Sequence, residues 1–275
     1  METIINGLKT NRSFAVTSLL VLALLLVAIL APVISPYDPT AAVMRDAFQE
    51  PSSFHLFGTD KLGRDCFSRV IYGARASLSG VLLLVFSVFT VGTSLGVLSG
   101  YFGGRVDMVI MRISDMMISF PGMILAIAVA GILGGSLVNA VMALTVVSWT
   151  KYARLARSMV LKIKNRDFVE AAIVNGGKPA HILWVHILPN ILPLMVITAA
   201  ADIGALMMEL AGLSFLGFGS QPPAPEWGLM LNEGRQQLQT APWLMIFPGL
   251  AIFVTVVIFN LWGDALRDVL DPREE

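Results

Sequence analysis

Residues 14–34 read FAVTSLLVLALLLVAILAPVI, with no charged side chain among them. A helix rises about 1.5 Å per residue, so about 20 apolar residues cross the roughly 30 Å hydrocarbon layer of a bilayer. Working outward along the chain, five further stretches have this character, near 78–99, 109–131, 137–157, 191–213 and 244–263. The continuous runs also exclude a β-barrel, whose strands alternate over about ten residues. The expectation is an all-α polytopic membrane protein with six transmembrane helices.

Composition agrees. The chain of 275 residues is 56% hydrophobic and 14% charged, against about 25% charged residues in a soluble domain. Nineteen Lys and Arg balance nineteen Asp and Glu, so nothing points to nucleic acid. The single cysteine, Cys66, excludes an internal disulfide. Lys9 and Arg12 precede the first apolar run as in a signal peptide, but the run is long and ends without a small-residue cleavage site. It reads as a retained first span.

Basic residues set the orientation, because Lys and Arg concentrate on the cytoplasmic side. With the N-terminus inside, the inner segments hold Lys9, Arg12, Arg105, Arg112, the seven basic residues from Lys151 to Lys178, Arg267 and Arg273. The outer segments hold Arg45, Lys61, Arg64, Arg69, Arg75 and Arg235. Both termini are therefore expected in the cytoplasm. Residues 35–76 form a long outer connection. Cys66, Phe67, Val70, Ile71, Ala74 and Leu78 recur within it at helical spacing, with arginines between, which predicts an amphipathic interfacial helix before span two. The breaker-rich residues 216–243 form either an outer vestibule or a plain connector.

The most informative stretch is cytoplasmic. Residues 158–190 are too polar to cross. Asp167–Val174 predicts a short helix, ended by Asn175, Gly176, Gly177 and Pro179, since glycine readily takes the positive φ of a helix stop. A second short helix is expected from His181 to Leu188, up to Pro189. Such surface helices either dock a soluble partner or only return the chain to the membrane.

Glu170-Ala171-Ala172, then Gly176 and Leu188-Pro189, resemble the EAA signature of ABC importer permeases. The residue three before the proline, commonly isoleucine, is His186 here. His186-Ile187-Leu188-Pro189-Asn190 resembles the form found in the peptide and nickel branch. Gly58-Thr59-Asp60, Leu62-Gly63-Arg64-Asp65 and Ser68-Arg69 are similar to that branch's segment ahead of span two. Glu226-Trp227-Gly228, Gly263-Asp264-Ala265-Leu266-Arg267-Asp268 and Asp271-Pro272-Arg273 are similar to its last loop and tail. One departure is Asn175-Gly176-Gly177, where the branch commonly has Gly-Ala-Ser.

The resemblance, nearly end to end, implies a type I ABC importer permease fold and a C-type subunit in a bacterial or archaeal cytoplasmic membrane. It divides the chain into an N-terminal helix with outer loop (1–74), a permease core (75–265) and a cytoplasmic tail (266–275). The implied partners are a second, related permease chain, two cytoplasmic ATPases, an extracytoplasmic substrate-binding protein and membrane lipid. The coupling helix would comprise Glu170, Ala171, Ala172, Gly176, Gly177, Leu188 and Pro189. This chain binds no cofactor of its own, because ATP and Mg belong to the partner ATPases. It also lacks a phosphate-binding loop: Gly177-Lys178 is followed by Pro179, and position 172 is alanine. The implied cargo is a di- or oligopeptide, nickel or another metal chelate. Competing readings are a secondary transporter, a channel or a membrane scaffold, which ATP-dependent uptake would separate from an importer.

Other residues invite weaker readings. Asp202 and Glu209, seven apart on span five, either wall a translocation path or lock helix to helix, and neither they nor Asp115 read as a proton relay, because no opposing basic or histidine chain is visible in other spans. Asp115 is expected to pair with Arg112. His181 and His186, five apart and so roughly 140° around an α-helix, do not share a ligand face, and no metal site is expected. The methionines read as membrane-core filling. Gly92, Gly96 and Gly100 recur every four residues, a packing ladder within this chain or against a partner.

Overall fold

The computed structural model describes residues 11–270. Lys9, Asp271, Pro272 and Arg273 lie outside them. Helix α1 spans Arg12–Ile34, α2 Cys66–Phe102, α3 Gly104–Ile118, α4 Gly122–Leu133 and α5 Leu137–Ile163. The short α6, Asp167–Val174, precedes one turn, α7, at Pro179–His181. A π-helical segment, Ile182–Ile187, then runs into α8, Leu188–Phe215. Helices α9, Trp227–Gly234, and α10, Trp243–Leu270, complete the chain. Among the described residues four helices are long and apolar enough to cross a membrane, and a bent pair, α3 with α4, would make a fifth.

Helix α2 is the centre. Its 37 residues extend about 55 Å, well beyond the hydrocarbon layer. The interfacial helix expected before span two is thus the first part of α2 itself, continuous with the span. Asp65 starts it, accepting a hydrogen bond from the Ser68 amide at 2.7 Å. The ladder glycines face α5. A Cβ on Gly92 would lie 2.5 Å from Trp149 O and from Tyr152 Cβ, one on Gly100 2.8 Å from Val160 Cβ, and one on Gly96 would meet Ala153 O. Here the two backbones approach too closely for any side chain.

The expected third span, 109–131, is not one straight helix. It breaks at Ser119-Phe120-Pro121 with a bend of 97°. Pro121 has no amide to continue the helix, and Ser119 Oγ turns back to Met116 O at 2.6 Å. Continuous apolarity hid this break. Span five also begins earlier than expected. Pro189 does not end a separate helix: the π-helical turn absorbs the amide that proline lacks, and Asn190 Nδ2 donates to His186 O at 2.6 Å.

At the end of the bundle where α2 begins, Arg64 and Arg69, expected at an interface, are instead buried in a compact knot, while Arg75 stays exposed. Arg64 and Arg69 are each 1% exposed. Arg64 Nε donates to Asp60 at 2.6 Å and its Nη2 to Glu233 at 3.0 Å. Arg69 donates to Glu233 at 2.8 Å and to Pro39 O at 3.1 Å. Trp243 Nε1 donates to Thr59 O, and His55 bonds Asp65. The Glu226-Trp227-Gly228 triplet joins the same end. Glu226 caps α9 through the amides of Gly228 and Leu229, Trp227 Nε1 donates to Val70 O at 2.8 Å, and Gly228 lets α9 close on Ala211.

Candidate coupling segment and membrane-embedded polar face

Three residues separate α5 from α6, which begins with acids in its first turn, Asp167 and Glu170, where the helix dipole favours them. It stops at Val174 because Gly176 takes φ +78°, a left-handed turn with open space around it. The Gly177 amide closes the turn on Ala172 O at 3.0 Å. Of the eight residues of α6 only Val169 is buried. Val169, Ile182 and Ile187 anchor the segment in the main core.

The rest of this end is uncovered. Val174 is 86% exposed, Trp184 70%, Ile173 51% and Phe168 45%. Glu170 and Gly176 lie on this exposed hairpin, whereas Leu188 and Pro189 lie at the junction with α8. His181 and His186 are closer than α-helical spacing predicts. The π-helical turn rotates one toward the other, their ring centroids stand 5.7 Å apart edge to face, and Phe168 lies 6.4 Å from His186. Among the described residues, no group of three or more His, Cys, Asp or Glu side chains is placed to hold a metal ion.

Within the bundle, Asp202 of α8 has a basic partner that the spacing did not reveal. Lys151 Nζ of α5 donates to both its oxygens at 2.7 Å, and the Tyr152 hydroxyl donates to it at 3.1 Å. Glu209, two turns along α8, is half-buried near Ser148 and Asp202. The Asp115–Arg112 pairing is corrected: Asp115 accepts from Arg154 Nη2 at 2.6 Å, and Arg154 Nε donates to Ser114 Oγ at 3.1 Å. Helix α5 thus presents Lys151, Arg154 and Arg157 to acidic partners on α8 and α3. The interhelical signal in the sequence was three cations at helical spacing facing three intramembrane or flanking acids.

A bundle of long apolar helices, with polar pairs between them and an exposed helical hairpin at one end, defines a multi-pass membrane protein. The chain belongs to the binding-protein-dependent transport system inner membrane component family, whose model matches residues 92–275. The N-terminal transmembrane domain of oligopeptide transport permease C matches residues 4–51.

Three relatives are similar over nearly the whole chain. The dipeptide transport system permease protein of Alkalihalophilus pseudofirmus is 42% identical, over 97% of this chain and 88% of its own. The nickel transport system permease protein of Escherichia coli strain K12 is 41% identical, over 98% and 97%. The glutathione transport system permease protein of Pectobacterium atrosepticum is 45% identical, over 93% and 85%. A solved inward-facing MetNI methionine ABC transporter shares the fold, with a TM-score of 0.60 at 21% identity, covering 74% of this chain and 97% of its own.

The chain is therefore a permease subunit of the peptide/nickel type, the C subunit, in a bacterial inner membrane. It is a non-catalytic component of an ABC-type, multi-subunit transporter and works with a separate ATPase.

Proposed function

We propose that this chain forms one half of the translocation path of an importer for short peptides, pairing with a related but different permease, two ATPases and an extracytoplasmic binding protein. Relatives named for dipeptide and glutathione transport support peptides. The relative named for nickel makes a nickel chelate the competing outcome. Six crossings follow if the bent pair α3–α4 counts as one span and α5, whose Lys151, Arg154 and Arg157 lower its hydropathy, as another. The termini are then both cytoplasmic.

One observation carries the coupling role. The hairpin around α6 leaves Phe168, Ile173, Val174 and Trp184 uncovered while three buried residues root it in the bundle. Exposed apolar side chains on a rooted element suit burial in a groove of another protein. Residues 165–188 are in this reading the coupling segment, with Glu170, Ala171, Ala172, Gly176 and Gly177 in the docking hairpin and Leu188 and Pro189 as the pivot into α8. Asp202 and Glu209 stand beside the path, where intramembrane charge is costly unless paired or facing a cavity.

The test is purification in mild detergent with identification of co-purifying chains, then uptake into proteoliposomes. E170A/G176V is expected to insert normally and to lose ATP-driven uptake. Normal uptake by that variant, with either a labelled dipeptide or labelled nickel, overturns the coupling assignment. ATP-independent uptake by the chain alone overturns the importer reading.

A further inference from the structure

We infer that Asp107 and Arg157 form a latch that makes the bent pair α3–α4 follow the inner end of α5. The inference rests on residues 165–188 being the coupling segment, since α5 leads directly into it.

Helix α3 is poorly held by packing. Of its 15 residues only Ser114 is buried. Its upstream elbow, Gly103-Gly104, places both residues at positive φ, +62° and +52°, and nothing lies within 4 Å of an added Cβ at either. The elbow is therefore a backbone turn in open space, needing glycine for its conformation and offering no contact that would fix the direction of α3.

Direction comes instead from two arginines of α5. Arg157 Nε and Nη2 grip the two oxygens of Asp107 at 2.5 and 2.6 Å, a planar fork on a carboxylate. Ser99 Oγ of α2 donates to the same carboxylate at 2.5 Å. Arg154 reaches Ser114 and Asp115 about two turns further along α3. Lys164, one residue beyond α5, donates to Gly100 O at 3.4 Å. Thus Asp107 joins the end of α2, the start of α3 and the end of α5 at one point, three residues after the glycine elbow. A push on α6 that displaces the end of α5 is delivered to α3 through this carboxylate, and through the 97° bend to α4. Asp107 and Arg157 are positioning residues, acting through α3 rather than on cargo.

The latch is half-exposed, with side-chain exposures of 23% for Asp107 and 34% for Arg157. Geometry rather than burial gives it strength, so loss of the fork should impair transmission more than folding.

The experiment uses the complete transporter in proteoliposomes, with the binding protein and ATP, and reads uptake per ATP hydrolysed. The probe is whichever of a radiolabelled dipeptide or radiolabelled nickel the unaltered complex accumulates. Charge-assisted hydrogen bonds are among the stronger single contacts, so D107N should lower uptake per ATP by about tenfold, with hydrolysis and subunit recovery kept. R157K retains the charge and loses the fork, and should act in the same direction. The double variant should be no worse than the weaker single one, because both remove one interaction.

Losses of uptake and hydrolysis in equal proportion, multiplied losses in the double variant, or unchanged uptake per ATP in D107N and R157K would each overturn the latch. E170A/G176V is measured alongside. Normal uptake there removes the coupling segment and the latch together. Lost uptake there with normal uptake per ATP in D107N removes the latch alone.

Discussion

The two ends of the molecule, outer and inner in the proposed topology, are held by the same kinds of group in opposite surroundings. At the outer end, Asp60, Arg64, Arg69 and Glu233 form an ion cluster whose arginines are 1% exposed. Two tryptophan indoles and the Glu226 cap tie the outer loop, α2, α9 and α10 to one another. At the inner end, Arg154 and Asp115 pair at 45% and 55% exposure, and α6 and α3 each bury a single residue. The inner pairs are open at the surface of the bundle, so parting them strands no buried charge. The outer charges have left water, and no partner can be withdrawn without stranding another. An alternating transporter needs a part that stays together and a part that yields. This distribution assigns the first to the outer knot and the second to the hairpin and α3.

The comparison breaks most visibly at Arg64. Arg64→Met would leave Asp60 and Glu233 sharing Arg69 alone in a buried site, and removing one partner of a buried pair costs about 3–5 kcal/mol. The expected outcome is a large drop in the apparent Tm of the purified chain, read by fluorescence-detected size exclusion. A Tm within a degree or so of the unaltered protein would mean that the outer end is not the rigid unit described. Arg154→Met deletes two side-chain hydrogen bonds from the inner end, against three at Arg64. Its acid partner Asp115 is 55% exposed and only the neutral Ser114 is buried, so no buried charge is stranded, and the Tm shift should be clearly smaller than at Arg64 in the same measurement. Equal losses at the two sites would erase the distinction between the ends.

Much of the architecture was legible because membrane physics writes it locally. A span must be apolar over about 20 residues, and the bounds of α6 follow from acids at its start and Asn175-Gly176 at its stop. What was not legible depends on contacts distant in sequence or on backbone departures. The break at Pro121 lay inside continuous apolarity, so hydropathy passed over it, although the proline itself was a signal. The pairing of Asp115 with Arg154 joins residues 39 apart, while helical spacing offered the nearer Arg112. His181 and His186 came together because the turn between them is π-helical, which no α-helical wheel anticipates. The outer arginines read as interfacial because Glu233, which binds both, lies 169 residues beyond Arg64, although Asp60 stands only four residues before Arg64. Of the candidate coupling hairpin, the sequence supplied its position and helical bounds, and folding supplied which of its apolar side chains stay uncovered.

The gentlest probe of the outer end is pH, acting through Glu226. Its carboxyl is buried where α9 meets α2, and burial pushes its pKa above the ordinary glutamate value of 4.5, although the Gly228 and Leu229 amides and Ser77 donate toward it. The sign follows from linkage. A carboxyl whose folded pKa is raised binds its proton more tightly in the folded state, so the stability it lends is fully present below the unfolded value. That stability is lost as pH rises through the raised one. Docking of α9 should therefore loosen as pH climbs from about 4.5 upward. Glu226→Gln retains an oxygen for the cap and cannot ionise, so its Tm should vary less with pH across that window than the unaltered chain's. The contrast is in slope rather than level, which separates a titrating cap from a lost one. Parallel Tm profiles for the two proteins would show that Glu226 titrates alike in the folded and unfolded states, and the outer knot would then owe its hold to the arginine cluster and the tryptophans alone.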